Sequence, residues 1–435
     1  MHSRYRGLLL WVRDSMRRMI PVVSLICVAL LAIAWLDMPH DQGIDAEKYM
    51  ELAEGHIENV VRTFANRILH PWLAGELSGL TGLNLDQSFL VLGCLSLVLL
   101  IATTAAMAGA FLPAKLLPLL LLIPFTLHTF QHYQMPDVFY AGLLGLFLWC
   151  LYREFVWFAV LLIFALQVTR ESTLMLMVVF SIVCAFRGRW KEAAGGAVAM
   201  VMGALVVSYA TSSALPNLHG MNQLTYMALK VPFNFLGNAL GINLYSDTLA
   251  ANNPRLFSEE PLLALDVSGM TLFGNVSSIG IYSFDPVRPL NMLAYLLTLF
   301  GVLPVVIVHS IVRYRTAVLK GAPVFVTIAL VYGTGSYLLG TSIGASVDRL
   351  LGYGWPAFLI GVPYLLARFY SLDADALKRF LLTSFALAWL PLVVQKTGLP
   401  EGAVSGLVVV IAMVASVFAW RSLTAAQQPS DSVAA

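Results

Sequence analysis

Charge is what this sequence has least of. Lysine, arginine, aspartate and glutamate make up 11% of its 435 residues, where a soluble domain carries roughly 25%. That excludes an ordinary water-soluble globule. The few charges nearly cancel, at +2, so no bulk attraction to nucleic acid is indicated. Cysteine is scarce as well. Cys27, Cys94, Cys150 and Cys184 all lie in apolar stretches, which leaves four small hydrophobes and no disulfide frame or cysteine metal site. Repeats, heptad arrays and low-complexity tracts are absent, apart from a polar end at 427–435 that reads as disordered. No small-residue cleavage site follows the first apolar run. The basic N-terminus is therefore expected to lead into a retained helix, not a removed signal peptide.

What fills the chain is apolar, 59% of all residues. Apolar segments follow one another at 19–37, 87–110, 115–130, 137–152, 155–168, 173–186, 193–211, 290–312, 322–340, 350–367, 380–395 and 403–420. Their length and close succession predict an all-α polytopic membrane protein of about twelve transmembrane helices, not a barrel. With the N-terminus inside, 17 of the 26 Lys and Arg fall on the inner side, as the positive-inside rule requires. Both termini are then cytoplasmic, in what the short basic inner loops suggest is a bacterial inner membrane. The expected organisation is a transmembrane module at 1–212 with a long outer loop at 38–86, a second long outer segment at 213–289 acting as a lid, C-terminal helices at 290–422, and a disordered cytoplasmic tail at 423–435.

The first outer loop carries Asp37, Asp41, Asp45, Glu47, Glu51, Glu54, Glu58 and His70 beside the hydrocarbon. A loop that only turns the chain needs a few polar residues. From Asp45 onward, Tyr49, Ala53, Ile57, Val60, Phe64 and Ile68 recur at helical spacing, with the glutamates opposite. This predicts an amphipathic helix lying in the interface plane. Asp45 opens it and reads in two ways: as an N-cap for free backbone N–H groups, or as a general base beside aromatic and apolar residues. Asp41 is the alternative base, and Tyr49, Arg67 and His70 are the neighbours expected to shape the site.

These stretches, Gly43 to Tyr49 (G-I-D-A-E-K-Y) and Asn66 to Leu73 (N-R-I-L-H-P-W-L), carry a resemblance. A first outer loop with acidic residues after the first helix, then D-x-x-x-Y, an amphipathic run and a later His-Pro element resembles the GT-C superfamily. Within it, the protein mannosyltransferase and aminoarabinose transferase branches are loosely similar. The resemblance implies a glycosyltransferase that inverts at the anomeric carbon. Its donor would be a polyprenyl-phosphate-linked sugar, taken from the membrane lipid. The acceptor, a glycan, lipid or protein, is not specified. Asp41 and Asp45 are separated here, where many relatives carry adjacent acidic residues, so the sequence fixes neither the catalytic carboxylate nor a cofactor and leaves a divalent cation open.

Further candidates lie outside the loop. Arg170 and Glu171, between two short apolar segments, read as a turn with a local ion pair or as a phosphate clamp, since the guanidinium fork matches phosphate oxygens. Asp348 and Arg349 precede Tyr353 and Trp355. They form an interfacial belt or, as the resemblance implies, a second contact to the lipid phosphate. His128, His132 and Asp137 are expected to line an aqueous cavity; no H-E-x-x-H context accompanies the histidines. Arg288 belongs to the lid or balances Asp285.

Three function classes compete. A flippase or transporter predicts ionisable groups at mid-span and two related halves, but these spans are almost free of charge and show no internal symmetry. An O-antigen polymerase or ligase would concentrate arginines in a large late outer loop, and the second long segment has only Arg255 and Arg288. The transferase, with its loop carboxylates and flanking arginines, is the expected function.

Overall fold

The computed structural model describes residues 20–36, 44–216, 220–221, 223–252, 257–343 and 347–428. Helix α1 (Ile20–Leu36) leads to a first loop built from α2 (Ile44–Ala53), α3 (Arg62–Ala65) and α4 (Leu69–Thr81). Then come α5 (Leu85–Ala108), the short α6 (Leu117–Leu121) and α7 (Pro124–Gln131), and a run of apolar helices: α8 (Pro136–Tyr152), α9 (Val156–Thr169), α10 (Thr173–Phe186) and α11 (Trp190–Ala210). A mixed segment follows, with α12 (Gln223–Leu240), β1 (Ile242–Ser246), α13 (Asp247–Asn252), β2 (Leu263–Asp266) and β3 (Ser278–Phe284). The chain ends in α14 (Val287–Thr298), α15 (Leu303–Tyr314), α16 (Val324–Ile343), α17 (Val347–Gly352), α18 (Val362–Phe369), α19 (Ala374–Gln395) and α20 (Glu401–Ala425).

The twelve apolar segments all fall on helices, but not all are full spans. Among the described residues, six are long and apolar enough to cross a membrane, and eight if each bent pair, α6–α7 and α14–α15, counts as one. The other four, α1, α8, α9 and α10, have 10–17 residues. At 1.5 Å per residue, 17 residues reach about 26 Å, short of the ~30 Å hydrocarbon core.

Local chemistry explains where helices begin. Asn84 caps α5 in a reciprocal box with Gln87, and Asp373 caps α19 through Ala376 N–H. Proline occupies the first helical turn of α7 and α8, where its missing N–H is no loss. Helix α8 lies close on α5 because Gly142 has no side chain; a Cβ there would stand 2.8 Å from the Ser96 carbonyl oxygen, the small-residue contact typical of packed membrane helices. Residues 349–369 form the most enclosed span, 94% buried inside the protein.

Three expectations change. The amphipathic run is not one helix: α2 stops at Ala53, and Gly55 turns the chain with φ +90°. Its apolar side does not face lipid either. Tyr49, Leu52, Val60 and Ala65 pack with Ala74, Phe89, Tyr133, Met135 and Ala214, so the loop folds onto the protein. The period continued past Gly55 in the sequence because spacing registers apolar positions and not backbone conformation. Second, the fold is not purely helical. β1, β3 and β2 form an antiparallel sheet in that order, with a register shift at Asn243 and Leu244. Third, the polar end is ordered further than expected: α20 runs to Ala425, and Gln427 pairs with Tyr370.

Candidate active site

The site begins with one buried carboxylate. Pro136 starts α8, which puts Asp137 in the first turn, where the helix N-terminus favours a negative charge. Asp137 is only 3% exposed, and a buried charge needs partners. Arg170, at the end of α9 with extended backbone, pairs with Asp137. Tyr353 donates its hydroxyl to Asp137 and accepts from Arg170. The Arg170 guanidinium also lies 4.4 Å from the Tyr353 ring centre. Arg349 on α17, the short helix that ends one residue before Tyr353, brings Nη1 to 3.8 Å from the second Asp137 oxygen.

Glu171 turns the other way. Arg67 donates to it twice, through Nε at 3.1 Å and Nη2 at 2.8 Å, and gives Nη1 to Tyr49 Oη at 2.7 Å. Burial pushes the Glu171 carboxyl up, but Arg67, its hydrogen bonds and Arg170 outweigh this and hold it at about 2. Burial likewise works against the Arg67 charge, yet Glu171 and Tyr49 keep it well above its ordinary value. Burial raises the Tyr49 hydroxyl, so it stays a neutral hydrogen-bonding group. The consecutive Arg170 and Glu171 thus form two separate pairs and not one local pair.

Beside this network lies a cavity of about 160 Å³ lined by Asp45, Phe125, His128, Thr129, His132, Met135, Leu299 and Arg349. Asp45 is the second residue of α2, one position inside the helix, so it adds a first-turn charge and does not occupy the cap. The cavity lining therefore includes a carboxylate from the first loop and a guanidinium from the start of a late span. Arg349 keeps 22% of its side chain exposed, against 6% for Arg170.

The structure gathers most of the residues singled out in the sequence. Asp45, His132 and Arg349 share the cavity; Asp137, Arg170 and Arg349 share one ion-pair group; Tyr49, Arg67 and Glu171 share another. Others stand apart. His70 is fully buried, stacked on Phe139 and edge-on to Phe89, and both its ring nitrogens lack a hydrogen-bond partner. Burial pushes its imidazole down to about 3 against the opposing pull of Asp137, so the ring packs neutral in the core and is not part of the cavity lining. Arg288 bonds Asn243 beside the sheet, while Asp285 accepts from Val287 N–H, so the two do not balance each other. Asp41 and the Asp348 side chain lie outside the described residues. Among the described residues no group of three or more His, Cys, Asp or Glu is placed to hold a metal ion. Sequence reading took Tyr353 for an interfacial aromatic.

The chain is similar to two crystal structures of ArnT from Cupriavidus metallidurans, one in the apo state and one bound to undecaprenyl phosphate. Identity is 14% and 13%, TM-scores are 0.41 and 0.42, and each match covers 92% of this chain and 77% of the other. No family model and no curated protein matches the chain. A likeness of this size carries no chemistry, which rests on the residues themselves.

Proposed function

We propose that this is an integral-membrane glycosyltransferase that moves a sugar from a polyprenyl-phosphate donor to an acceptor hydroxyl at the outer face of the membrane, with inversion. The observation that carries it is the shared cavity of Asp45 and Arg349. Transfer needs a base for the acceptor proton and a cation for the leaving phosphate, on two sides of one space. Asp45 takes the proton as the acceptor oxygen attacks the anomeric carbon. The bond from that carbon to the phosphate oxygen breaks, and its electron pair stays on phosphate beside Arg349.

The clamp expected of Arg170 passes to Arg349. Arg170 already bonds Asp137 and Tyr353, so it acts as a positioning residue that fixes Asp137, which in turn orients Arg349. Arg67, Glu171 and Tyr49 tie the first loop to the turn after α9. The buried pair sits at helix ends, the start of α8 and the end of α9, where a transporter would place ionisable groups within spans. The positive-inside threading, with both termini inside, supports a cavity at the outer leaflet, the face a bacterial inner membrane turns to the periplasm.

Binding of a synthetic polyprenyl monophosphate to the purified protein in nanodiscs tests the reading. Wild type is expected to bind saturably, and Arg349→Ala about tenfold or more weakly, as for loss of a charge-assisted contact. No saturable binding by wild type overturns it.

A further inference from the structure

A second cavity, of about 140 Å³, lies between α14, α19 and α20 and shares no lining residue with the first. The three helices pack on one another through an apolar cluster of their own, Ala294, Val394, Val404, Val408 and Val409. Both α19 and α20 are long and apolar enough to cross a membrane. The short connection between them, 396–400, is an outer loop in the positive-inside threading. In that threading the cavity lies at the outer ends of two spans. Of its lining, Gln395 and Glu401 are exposed and Ser405 is buried, so a ligand can reach it from outside.

Its polar side is already ordered by a relay. Ser405 Oγ donates to Asn291 Oδ1, and Asn291 Nδ2 donates to Glu401 Oε1. The relay fixes which way the Asn291 amide faces, and it leaves Asn291 a second N–H and Glu401 a second oxygen. Gln395 adds a further amide, Tyr295 an aromatic ring, and Leu399 and Val404 an apolar wall. No lysine, arginine or histidine lines the cavity, so an anion finds no countercharge there. One carboxylate is too few for a calcium-like cation, which takes about six or more oxygens. An alkyl chain would leave the relay facing hydrocarbon. Hydroxyls both donate and accept, and a ring that carries them also has an apolar C–H face. At ~10–15 Å³ for each admitted water, the space takes on the order of ten waters, the bulk of one sugar ring. We propose that this cavity is a second ligand site, which binds a sugar ring: Asn291, Gln395 and Glu401 take its hydroxyls and Tyr295 its C–H face. The site goes beyond the transfer reaction and does not rest on it.

Leu399 lines the cavity through an apolar side chain, so a thiol placed there reports occupancy. The full-length Leu399→Cys variant in nanodiscs of uncharged lipid is alkylated with an impermeant maleimide, and modification at that position is read by mass spectrometry. The probes are the methyl glycosides of glucose, galactose, mannose, arabinose and N-acetylglucosamine. At least one is expected to slow alkylation saturably. Adding Glu401→Ala is expected to weaken that protection about tenfold or more, as for loss of a hydrogen bond to a charged group, and adding Gln395→Ala to weaken it in the same direction. The butyl glycoside of the same sugar separates two sources. Stronger protection than by the methyl glycoside marks a glycolipid head group, equal protection marks a unit of a free glycan, and either supports the site. Protection by none of the glycosides, or protection unchanged in both added variants, overturns the inference. Protection by ethanolamine in place of the glycosides also overturns it and makes this an amine pocket. No polyprenyl phosphate enters the assay, so the site and the transferase reading fail separately.

Discussion

Asp137 and Arg170 form an ion pair inside the protein, between the first turn of α8 and the last of α9, with side chains 4% and 6% exposed. Each is the other's condition for burial. Arg170→Ala leaves the buried carboxylate with only the Tyr353 hydroxyl and the more distant Arg349 and is expected to destabilise by about 3 kcal/mol, whereas the double change Arg170→Met with Asp137→Leu is expected to cost less than the single change. Thermal melting in detergent separates the cases. A single Arg170→Ala variant as stable as wild type contradicts the pairing.

Arg349 differs from Arg170 in being open to the cavity. Arg349→Lys keeps the charge but loses the two-pronged fork. It is expected to fold normally and to bind polyprenyl monophosphate less tightly, by roughly tenfold. Binding equal to wild type would show that the phosphate does not sit on this guanidinium.

His70 gives a pH signature. Its imidazole sits at about 3 in the folded protein against an ordinary 6.5. Between those values the unfolded chain holds the proton and the native state does not, so stability falls as pH drops below 6.5. The slope is at most about 1.4 kcal/mol per pH unit. Glu171, held at about 2 against 4.5, adds its own loss only below about pH 4.5. His70→Leu is therefore expected to flatten the stability profile between pH 6.5 and 4.5, and to keep activity. The same slope in the variant would place the acid sensitivity elsewhere.

Much of this was legible in the chain, and the reasons are physical. The apolar segments had to be helices, because a chain with so little charge must satisfy its backbone internally. Arg349, Arg170 and Asp137 stood out because charges flanking apolar segments are expensive. Their pairing was not legible: Asp137 and Arg170 meet through helix packing, which local spacing does not encode. Glu171 was read as Arg170's partner because the two are adjacent, yet their side chains diverge. His70 carries a titratable ring, but Phe89 and Phe139, which bury it, come from other elements. The sheet escaped notice because β1 and β2 are short strands inside a turn-rich stretch.

The twelve-crossing threading has its own check. With single cysteines at Ser3, Gly43, Asn252 and Ser430, an impermeant thiol reagent on intact cells is expected to label positions 43 and 252 only. Labelling at position 430 would reverse the C-terminus and remove the cavity from the outer face.

The central claim is that Asp45 takes the acceptor proton, and its sugar-transfer rate tests that most directly. Asn keeps the shape and first-turn polarity but cannot accept the proton. Assayed in nanodiscs with a synthetic polyprenyl-phosphate sugar, Asp45→Asn is expected to lose about 10²–10⁴-fold in rate, with donor binding and melting temperature near wild type. Asp41→Asn, measured alongside, is expected to stay active. Full activity in Asp45→Asn contradicts the account, and if Asp41→Asn is then inactive the base is Asp41.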